Sequence, residues 1–535
     1  VLDQILSRGA FAAKALKVLT ESGVIAPFGP LTLARLGRTV LEWGTGPAGG
    51  FQALAVRYPD RVGIADPRGD LTFGEIQSRT DALAHALAER GVGAGDGVAL
   101  MCRNNRYFVE VTVAAAKLGA DVLYLNTAFA GPQLVEVIGR ENPAVVVHDA
   151  EFADLLAEAE VEQRFVAWDD AGEEGPDHLE ALISQAPATP HAPPSRHTRI
   201  VILTSGTTGT PKGAPRSDAG IDAGVALMER IPYRAGVRMH IAAPMFHTWG
   251  FAHMALCMLL GDTMVLRNRF DPEDFLTTVR DERCHTAIVI PVMLQRVLAL
   301  DSDVLSAYAL PDLKVVSSSG SALPGDLATR WMDGFGDNLY STYGSTEVAY
   351  GSIATPRNLR RSPSTAGRPP LGTDVRILDD SGAEVKTGTP GRIFVRNSML
   401  FEGYTNGETK DVIDGLMSTG DVGRFDEHGL LFVEGRDDEM IVSGGENVFP
   451  REIEDCLARH AAVNEAAALG VPDDDFGQRL RAFVVLADQS VTEDDLKAWV
   501  RDNLARYKVP REIVFVDELP RNATGKILKR ELAER

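Results

Sequence analysis

The segment Thr204-Ser205-Gly206-Thr207-Thr208-Gly209-Thr210-Pro211-Lys212-Gly213 follows directly on the apolar run Ile200-Val201-Ile202-Leu203. Its residue types suit a phosphate-cradling loop. Glycines let backbone amides approach a polyphosphate, hydroxyls donate to its oxygens, and Lys212 adds positive charge. No Gly-Lys-Ser/Thr stands at the spacing of a Walker A loop. A Ser/Thr/Gly-rich stretch by itself equally suits a plain connection, so its company decides. Downstream, in order, stand Tyr343-Gly344-Ser345-Thr346-Glu347, Ser418-Thr419-Gly420-Asp421, Gly435-Arg436 and Asn522-Ala523-Thr524-Gly525-Lys526. Between the first loop and these lies Pro244-Met245-Phe246-His247-Thr248-Trp249-Gly250, a histidine among aromatic residues.

The elements that must hold these segments follow from periodicity. From Asp81 onward helix-like stretches such as DALAHALAER alternate with short β-like runs, Gly97–Leu100 and Ala144–Val147. That alternation implies parallel sheets covered by helices. The Pro-rich stretch 186–198 reads as a surface connection into the strand Ile200–Leu203. After Thr365 short strands are separated by turn residues, as in DVRILDDSGAEVKTGTPGRIFVRN, which predicts β-hairpins. Gly435-Arg436-Asp437-Asp438 then marks a boundary. Beyond it PREIEDCLARH and TEDDLKAWVRDNLA predict helices, and RLRAFVVLA and EIVFV predict strands.

A chain of 535 residues exceeds what one hydrophobic core sustains, so more than one domain is expected. Its 44% hydrophobic and 24% charged residues are those of a globular protein. A net charge of −21 speaks against general nucleic-acid binding, which depends on clustered cations, and requires any nucleotide site to be locally positive. Cys102, Cys257, Cys284 and Cys456 lie far apart with no C-x-x-C pair, so neither zinc nor a disulfide framework is indicated and a reducing cytoplasm fits. The longest apolar run, near Met254–Leu260, is too short to span a bilayer. Residues 1–20 read as an amphipathic helix, with Leu2, Ile5, Phe11, Leu16 and Leu19 set against Arg8, Lys14 and Lys17. Packing on its own protein or on a partner subunit is the first reading of that helix. Peripheral contact with an anionic membrane is the second.

The order and spacing of the motifs make the chain resemble the adenylate-forming superfamily, the acyl-CoA synthetases with the peptide-synthetase adenylation domains and beetle luciferase, from about Asp60 to the end. The resemblance implies an α/β fold. A large N-terminal domain of two α/β sheet subdomains plus a β-rich subdomain would be followed by a small, mobile α+β C-terminal domain. The expected divisions are an N-terminal helical extension, 1–45, an adenylation domain holding the ATP and acyl sites, 46–436, and the C-terminal domain, 437–535.

Carried over position by position, the resemblance implies that Thr204, Ser205, Gly206, Thr207, Thr208, Gly209 and Lys212 grip the β- and γ-phosphates of ATP. Thr208 and Glu347 would hold Mg2+, hard oxygen donors for a hard cation. Tyr343 and Gly344 would lie at the adenine, with the backbone of Gly320, Ser321 and Ala322 on its other face, and Thr346 at the α-phosphate. Asp421 would accept from the ribose hydroxyls and Arg436 would reach ribose or phosphate. Phe246, His247, Trp249 and Gly250 would line the acid's site. His247 is not needed there as a base, because a carboxylic acid is already ionised near neutral pH. Lys526 is the expected catalytic cation, with Glu347, Thr208 and His247 beside it in the catalytic set. Asp438 would be the hinge, and Ser443, Gly444 and Gly445 would line the path of coenzyme A.

The function so implied is an AMP-forming acid:CoA ligase, with ATP, Mg2+ and coenzyme A as its cofactors and a medium- or long-chain fatty acid as its substrate. An acyl-AMP ligase loading a carrier-protein phosphopantetheine and a catalytically idle nucleotide-binding module are the alternatives. No nucleic-acid partner is expected, and a homodimer is among the expected assemblies.

Overall fold

In the computed structural model of the chain, Thr72 starts the helix Phe73–Glu89 with a reciprocal cap. Its hydroxyl accepts from the Glu75 amide while the Glu75 carboxylate accepts from the Thr72 amide at 2.7 Å, so two amides that a helix end leaves bare are satisfied. Asn105 caps the helix Arg106–Leu118 through the Tyr107 amide, and Gly119 ends it in the left-handed region at φ 70°. A fully buried ammonium ties the two helices together. Lys117 donates to Asp81 at 2.6 Å, to the Thr80 hydroxyl at 2.8 Å and to the Gln77 carbonyl at 3.2 Å. Desolvation pulls the Lys117 pKa down to about 8 against the pull of Asp81.

The structure describes the chain except residues 1, 173–174, 205–211, 217–220, 402, 404–408, 438–440, 444–445, 474–476, 489–490, 523–524 and 535. It forms two compact units, Val1–Val289 with Ala299–Ser317 and Ser398–Thr409, and Ile290–Leu298 with Ser318–Asn397 and Lys410–Arg535.

The first unit begins with α1 (Leu2–Glu21), α2 (Pro30–Trp43) and α3 (Pro47–Arg57). Its strands are β1 (Val62–Asp66), β2 (Gly69–Thr72), β3 (Gly97–Met101), β4 (Asp121–Tyr124), β5 (Val145–His148), β6 (Gln163–Val166), β7 (Ile200–Thr204), β8 (Lys212–Arg216), β9 (Arg238–Ile241), β10 (Thr263–Val265), β11 (Thr286–Val289) and β12 (Val315–Ser318). One sheet has the order β6-β5-β3-β4-β7-β8, parallel except where β8 turns back on β7. Every residue of β4 and β5 is buried, which is why Val145-Val146-Val147 is continuously apolar instead of alternating. A second sheet contributes the order β12-β11-β9-β10-β1-β2, closed by the antiparallel β1–β2 hairpin.

In the second unit β13 (Leu339–Tyr343) pairs antiparallel with β14 (Ser352–Ala354), Tyr343 opposite Ser352. The hairpin region expected after Thr365 is a sheet of β15 (Asp374–Leu378), β16 (Gly391–Arg396), β17 (Val412–Ile413), β18 (Leu416–Phe425) and β19 (Leu431–Arg436), in the order β15-β16-β18-β17 with β19 also on β18. The last hundred residues carry β20 (Ile441–Ser443), β21 (Glu446–Val448), β22 (Val463–Asp473), β23 (Gly477–Leu486) and β24 (Glu512–Phe515), with helices Pro450–Ala458 and Glu493–Asn503 where the sequence places them. Alternation along β22 feeds two cores. Ala468 joins Ile453, Leu457 and Leu496, while Ala467, Leu469 and Val471 join Phe483 and Leu532.

Among the described residues all four cysteines are buried and free, and no helix is long and apolar enough to cross a membrane. The expected amphipathic N-terminal helix is α1, which lies along the helix Ile221–Arg230.

The Lys117–Asp81 pair sets the first expectation. Asp81→Ala should cost about 3 to 5 kcal/mol, because it leaves a buried ammonium without its counter-charge. The double change Asp81→Leu with Lys117→Met should cost clearly less, because no charge then remains to be solvated. Urea unfolding of the three proteins checks the ordering.

Candidate active site

The motif Ser418-Thr419-Gly420-Asp421 folds on its own hydroxyls. The Thr419 hydroxyl donates to the Ile393 carbonyl at 3.1 Å and accepts from the Asp421 amide at 3.1 Å, and the Ser418 hydroxyl accepts from the Gly420 amide at 3.2 Å. Gly420 has φ 76°, and a Cβ there would stand 3.1 Å from the Arg436 guanidinium. Glycine therefore serves both the turn and the close passage of that arginine. The register of β18 on β19 sets Asp421 opposite Arg436.

Three side chains converge here. The Tyr343 hydroxyl donates to Asp421 Oδ2 at 2.6 Å, and Arg436 Nη1 lies 3.5 Å from Asp421 Oδ1 and 3.3 Å from the Thr419 carbonyl. The Asp421 side chain is 13% exposed. Burial raises its pKa, opposed by the Tyr343 hydrogen bond and by the positive fields of Arg436, Lys526 and Arg451. Burial and the neighbouring carboxylate push the Tyr343 phenol well above its ordinary value, so it remains a donor at neutral pH.

Lys526 belongs to a turn held by its own backbone and by Arg521. The Asn522 amide donates to the Lys526 carbonyl at 2.9 Å, the Lys526 amide to Asn522 Oδ1 at 2.9 Å, and Arg521 Nη1 to the Gly525 carbonyl at 2.6 Å. Arg521 is itself held by Glu465 at 2.8 Å. Gly525, at φ 77°, sits so close to Ile290 and Val292 that a Cβ would meet Val292 Cγ1 at 2.7 Å. The turn thus rests on the segment leading into the helix Pro291–Leu298, and the lysine remains exposed. The Ser319 hydroxyl donates to the Thr342 carbonyl at 2.8 Å, tying the turn at Gly320, φ 93°, with Ser321 and Ala322 to the end of β13. Gly344 permits a tight loop after Tyr343, since a Cβ would overlap the Ala349 carbonyl at 2.2 Å. Thr346 and Glu347 lie in that loop, partly buried.

In the first unit His247 is the N-cap residue of the helix Thr248–Leu260. Burial lowers its pKa to about 4, so the ring is neutral at pH 7. Its Nε2 is buried and has no partner among the described residues. Phe246 packs on the His247 ring at 4.5 Å, and Trp249 packs on His253 at 4.3 Å. Trp249 Nε1 donates to the Val289 carbonyl at 3.2 Å, and His253 bridges the Trp249 carbonyl at 2.8 Å and the Tyr233 hydroxyl at 2.7 Å. At Gly250 a Cβ would lie 2.4 Å from the Pro244 carbonyl, so only glycine fits.

The phosphate-type loop is framed but not itself described. Thr204 ends β7 directly opposite Lys212, the first residue of β8. Ser205, Gly206, Thr207, Thr208 and Gly209 lie outside the described residues, as do Asp438, Gly444 and Gly445, and Ser443 is described only as the end of β20.

The AMP-binding enzyme model matches residues 51–405, and the AMP-binding enzyme C-terminal domain model matches residues 452–526. The chain belongs to the AMP-binding enzymes. It is an adenylate-forming enzyme of the AMP-forming acid:CoA ligase family. A feruloyl-CoA synthase of an Amycolatopsis species is 33% identical over 87% of this chain and 94% of its own length. A long-chain-fatty-acid–CoA ligase of Mycobacterium tuberculosis is 29% identical over 87% and 93%. Among solved structures, ATP-bound MatB of Rhodopseudomonas palustris superposes with a TM-score of 0.81 at 27% identity, covering 91% of this chain and 98% of that one.

One residue of this AMP-binding enzyme that sequence reasoning missed is Asn104, which follows β3 and is buried. Its Nδ2 donates to the carbonyls of Ile241 at 2.9 Å and Ala243 at 2.8 Å, and its Oδ1 accepts from the Met245 amide at 2.9 Å. It fixes the backbone that leads into Phe246 and His247. A lone asparagine far from its contacts in sequence gives no local signal of this. Asn104→Ala should leave two carbonyls and an amide unpaired, at about 1 to 3 kcal/mol for each such group, and raise the KM for the acid roughly tenfold with little change for ATP. Asp81→Ala, similarly destabilised, should leave the acid KM unchanged. Steady-state kinetics on both variants separates misplacement of the segment from general loss of stability.

Proposed function

We propose that this acid:CoA ligase activates a medium- or long-chain fatty acid as its acyl-adenylate and transfers the acyl group to coenzyme A. The observation that carries the reading is the convergence of Tyr343 and Arg436 on Asp421, with the Lys526 turn close enough for its charge to act on that carboxylate. A carboxylate has about four acceptor positions. With one taken by Tyr343 and one facing Arg436, those that remain can accept both ribose hydroxyls. Tyr343 and the backbone at Gly320, Ser321 and Ala322 are assigned to adenine, Thr346 to the α-phosphate, and Thr204–Gly209 with Lys212 to the outer phosphates.

In the first step a carboxylate oxygen of the acid attacks the α-phosphorus and diphosphate leaves. Lys526 is assigned the negative charge that develops on the α-phosphate and the attacking oxygen. Glu347, a hard oxygen donor in the loop after Tyr343, fits Mg2+ together with Thr208, and that ion when bound neutralises phosphate charge. In the second step the thiol of coenzyme A, approaching by Ser443, Gly444 and Gly445, attacks the acyl carbon and AMP leaves. Residues 437–535 are assigned the rearrangement between the steps, with Asp438 as hinge.

The acid's apolar group is assigned to Phe246, His247, Trp249 and Gly250. A neutral His247 and the helix Thr248–Leu260, which carries no carboxylate, lysine or arginine, support an uncharged chain. The paired aromatic rings, together with the likeness to a feruloyl-CoA synthase, favour an aromatic acid as the second reading.

Diphosphate release measured over acetate, hexanoate, octanoate, palmitate and ferulate, with and without coenzyme A, tests the proposal. At about 0.8 kcal/mol per buried methylene, kcat/KM should rise roughly fourfold per added CH2 until the site is full. A flat response to octanoate with good turnover of ferulate would replace the fatty acid by an aromatic one. Adenylate formation without any thioester would point to a carrier-protein acceptor, and no diphosphate from any acid would leave an idle module.

A further inference from the structure

Six of the nine large apolar side chains that stand exposed among the described residues fall between Leu16 and Leu41. This stretch precedes the region matched by the family model, so the exposure belongs to this chain's own extension. Four of the six lie on α2. Leu31 is 67% exposed, Leu33 54%, Val40 48% and Leu41 89%, whereas Thr39 and Trp43 on the opposite side are buried. At 100° per residue Val40, Leu33, Gly37, Leu41 and Ala34 make one continuous outward stripe, and the exposed Arg38, Leu31, Glu42 and Arg35 follow in that order along one edge of it. Trp43, packed with Ala48 and Ala116, anchors the end of the helix, so the stripe is held outward.

We infer that α2 is a docking face for an anionic lipid surface. Charge chooses this occupant. Residues 1–43 carry five basic side chains against three acidic ones in a chain whose net charge is −21. Exposed apolar surface and positive balance therefore coincide in one segment of an otherwise acidic protein. Arg38 meets Glu42 at 2.7 Å, and Arg35 continues the same edge, so its cations border the apolar stripe as they do in helices lying in a bilayer interface. Lys14 and Lys17 on α1 add charge, Lys17 facing Glu21 at 3.8 Å. The membrane reading attached by sequence to α1 thus moves to α2, since α1 lies along the helix Ile221–Arg230.

The test is flotation of the full chain with vesicles of phosphatidylcholine alone and of an equimolar mixture with phosphatidylglycerol, together with sedimentation of the free protein. The wild type should float with the anionic vesicles at least roughly tenfold more than with the neutral ones, and added salt should weaken it. Leu33→Ser with Leu41→Ser should abolish flotation while acid:CoA ligase activity in detergent-free solution stays unchanged, since both side chains face solvent. Arg35→Gln with Arg38→Gln should remove the preference for anionic lipid. Equal flotation of the wild type and the Leu33/Leu41 variant, or equal binding to neutral vesicles, would overturn the inference. So would absence of flotation, whether or not a wild-type dimer, dissociated by the same serine changes, assigned the face to a second copy.

Discussion

A carboxylate withdrawn from water must be given partners, and in this enzyme that requirement centres on Asp421. Its side chain is mostly buried on β18, an interior strand of the β-rich sheet, and desolvation favours the protonated acid. Tyr343 and Arg436 oppose that tendency, and each reaches Asp421 through a feature of the backbone. Arg436 arrives by strand register across β18 and β19, and Tyr343 arrives as the last residue of β13. The glycines nearby make sense in these terms. Gly420 clears the path of the guanidinium, and Gly525 lets the Lys526 turn settle against Ile290 and Val292 so that its charge acts on the same carboxylate.

Local charge here runs against the charge of the whole chain. The net charge is −21, yet Arg436, Arg451 and Lys526 all act on Asp421. A polyphosphate substrate needs such a concentration of cations, because bulk acidity alone would repel it. The segment before the helix Thr248–Leu260 has the opposite character. His247 is neutral through burial, its companions are rings, and Asn104 spends its full amide on backbone groups of that segment. The charged and the apolar environments are thus built from different residue sets with different physical supports.

Much of the fold was legible because periodicity reports local burial. Strands such as Val145–His148, the β15–β16 hairpin and the helices at 450–458 and 493–503 all stand where alternation or helical spacing put them. The adenylate-forming family was legible because its motifs combine rare residue types in a fixed order. What escaped depended on long-range geometry. Asn104 meets residues about 140 positions away, and the Tyr343–Asp421 bond spans 78. The outward stripe of α2 escaped for another reason. Its spacing is that of any half-buried helix, and only the anchoring of Trp43 and Thr39 tells which side faces solvent. Thr208, Gly444 and Gly445 lie outside the described residues, so their roles rest on the family resemblance.

The most direct test of the account is the separate measurement of both half-reactions in Lys526→Ala. Removing the cation assigned to the reacting carboxylate and α-phosphate should suppress formation of the acyl-adenylate by at least about a hundredfold. Supplied with ready-made acyl-AMP, the same variant should still form acyl-CoA at close to the parental rate, because the rearrangement assigned to residues 437–535 withdraws this lysine from the reacting bond before the second step. Equal loss in both half-reactions, or an unchanged adenylation rate, would contradict the division of labour between Lys526 and the remainder of the site.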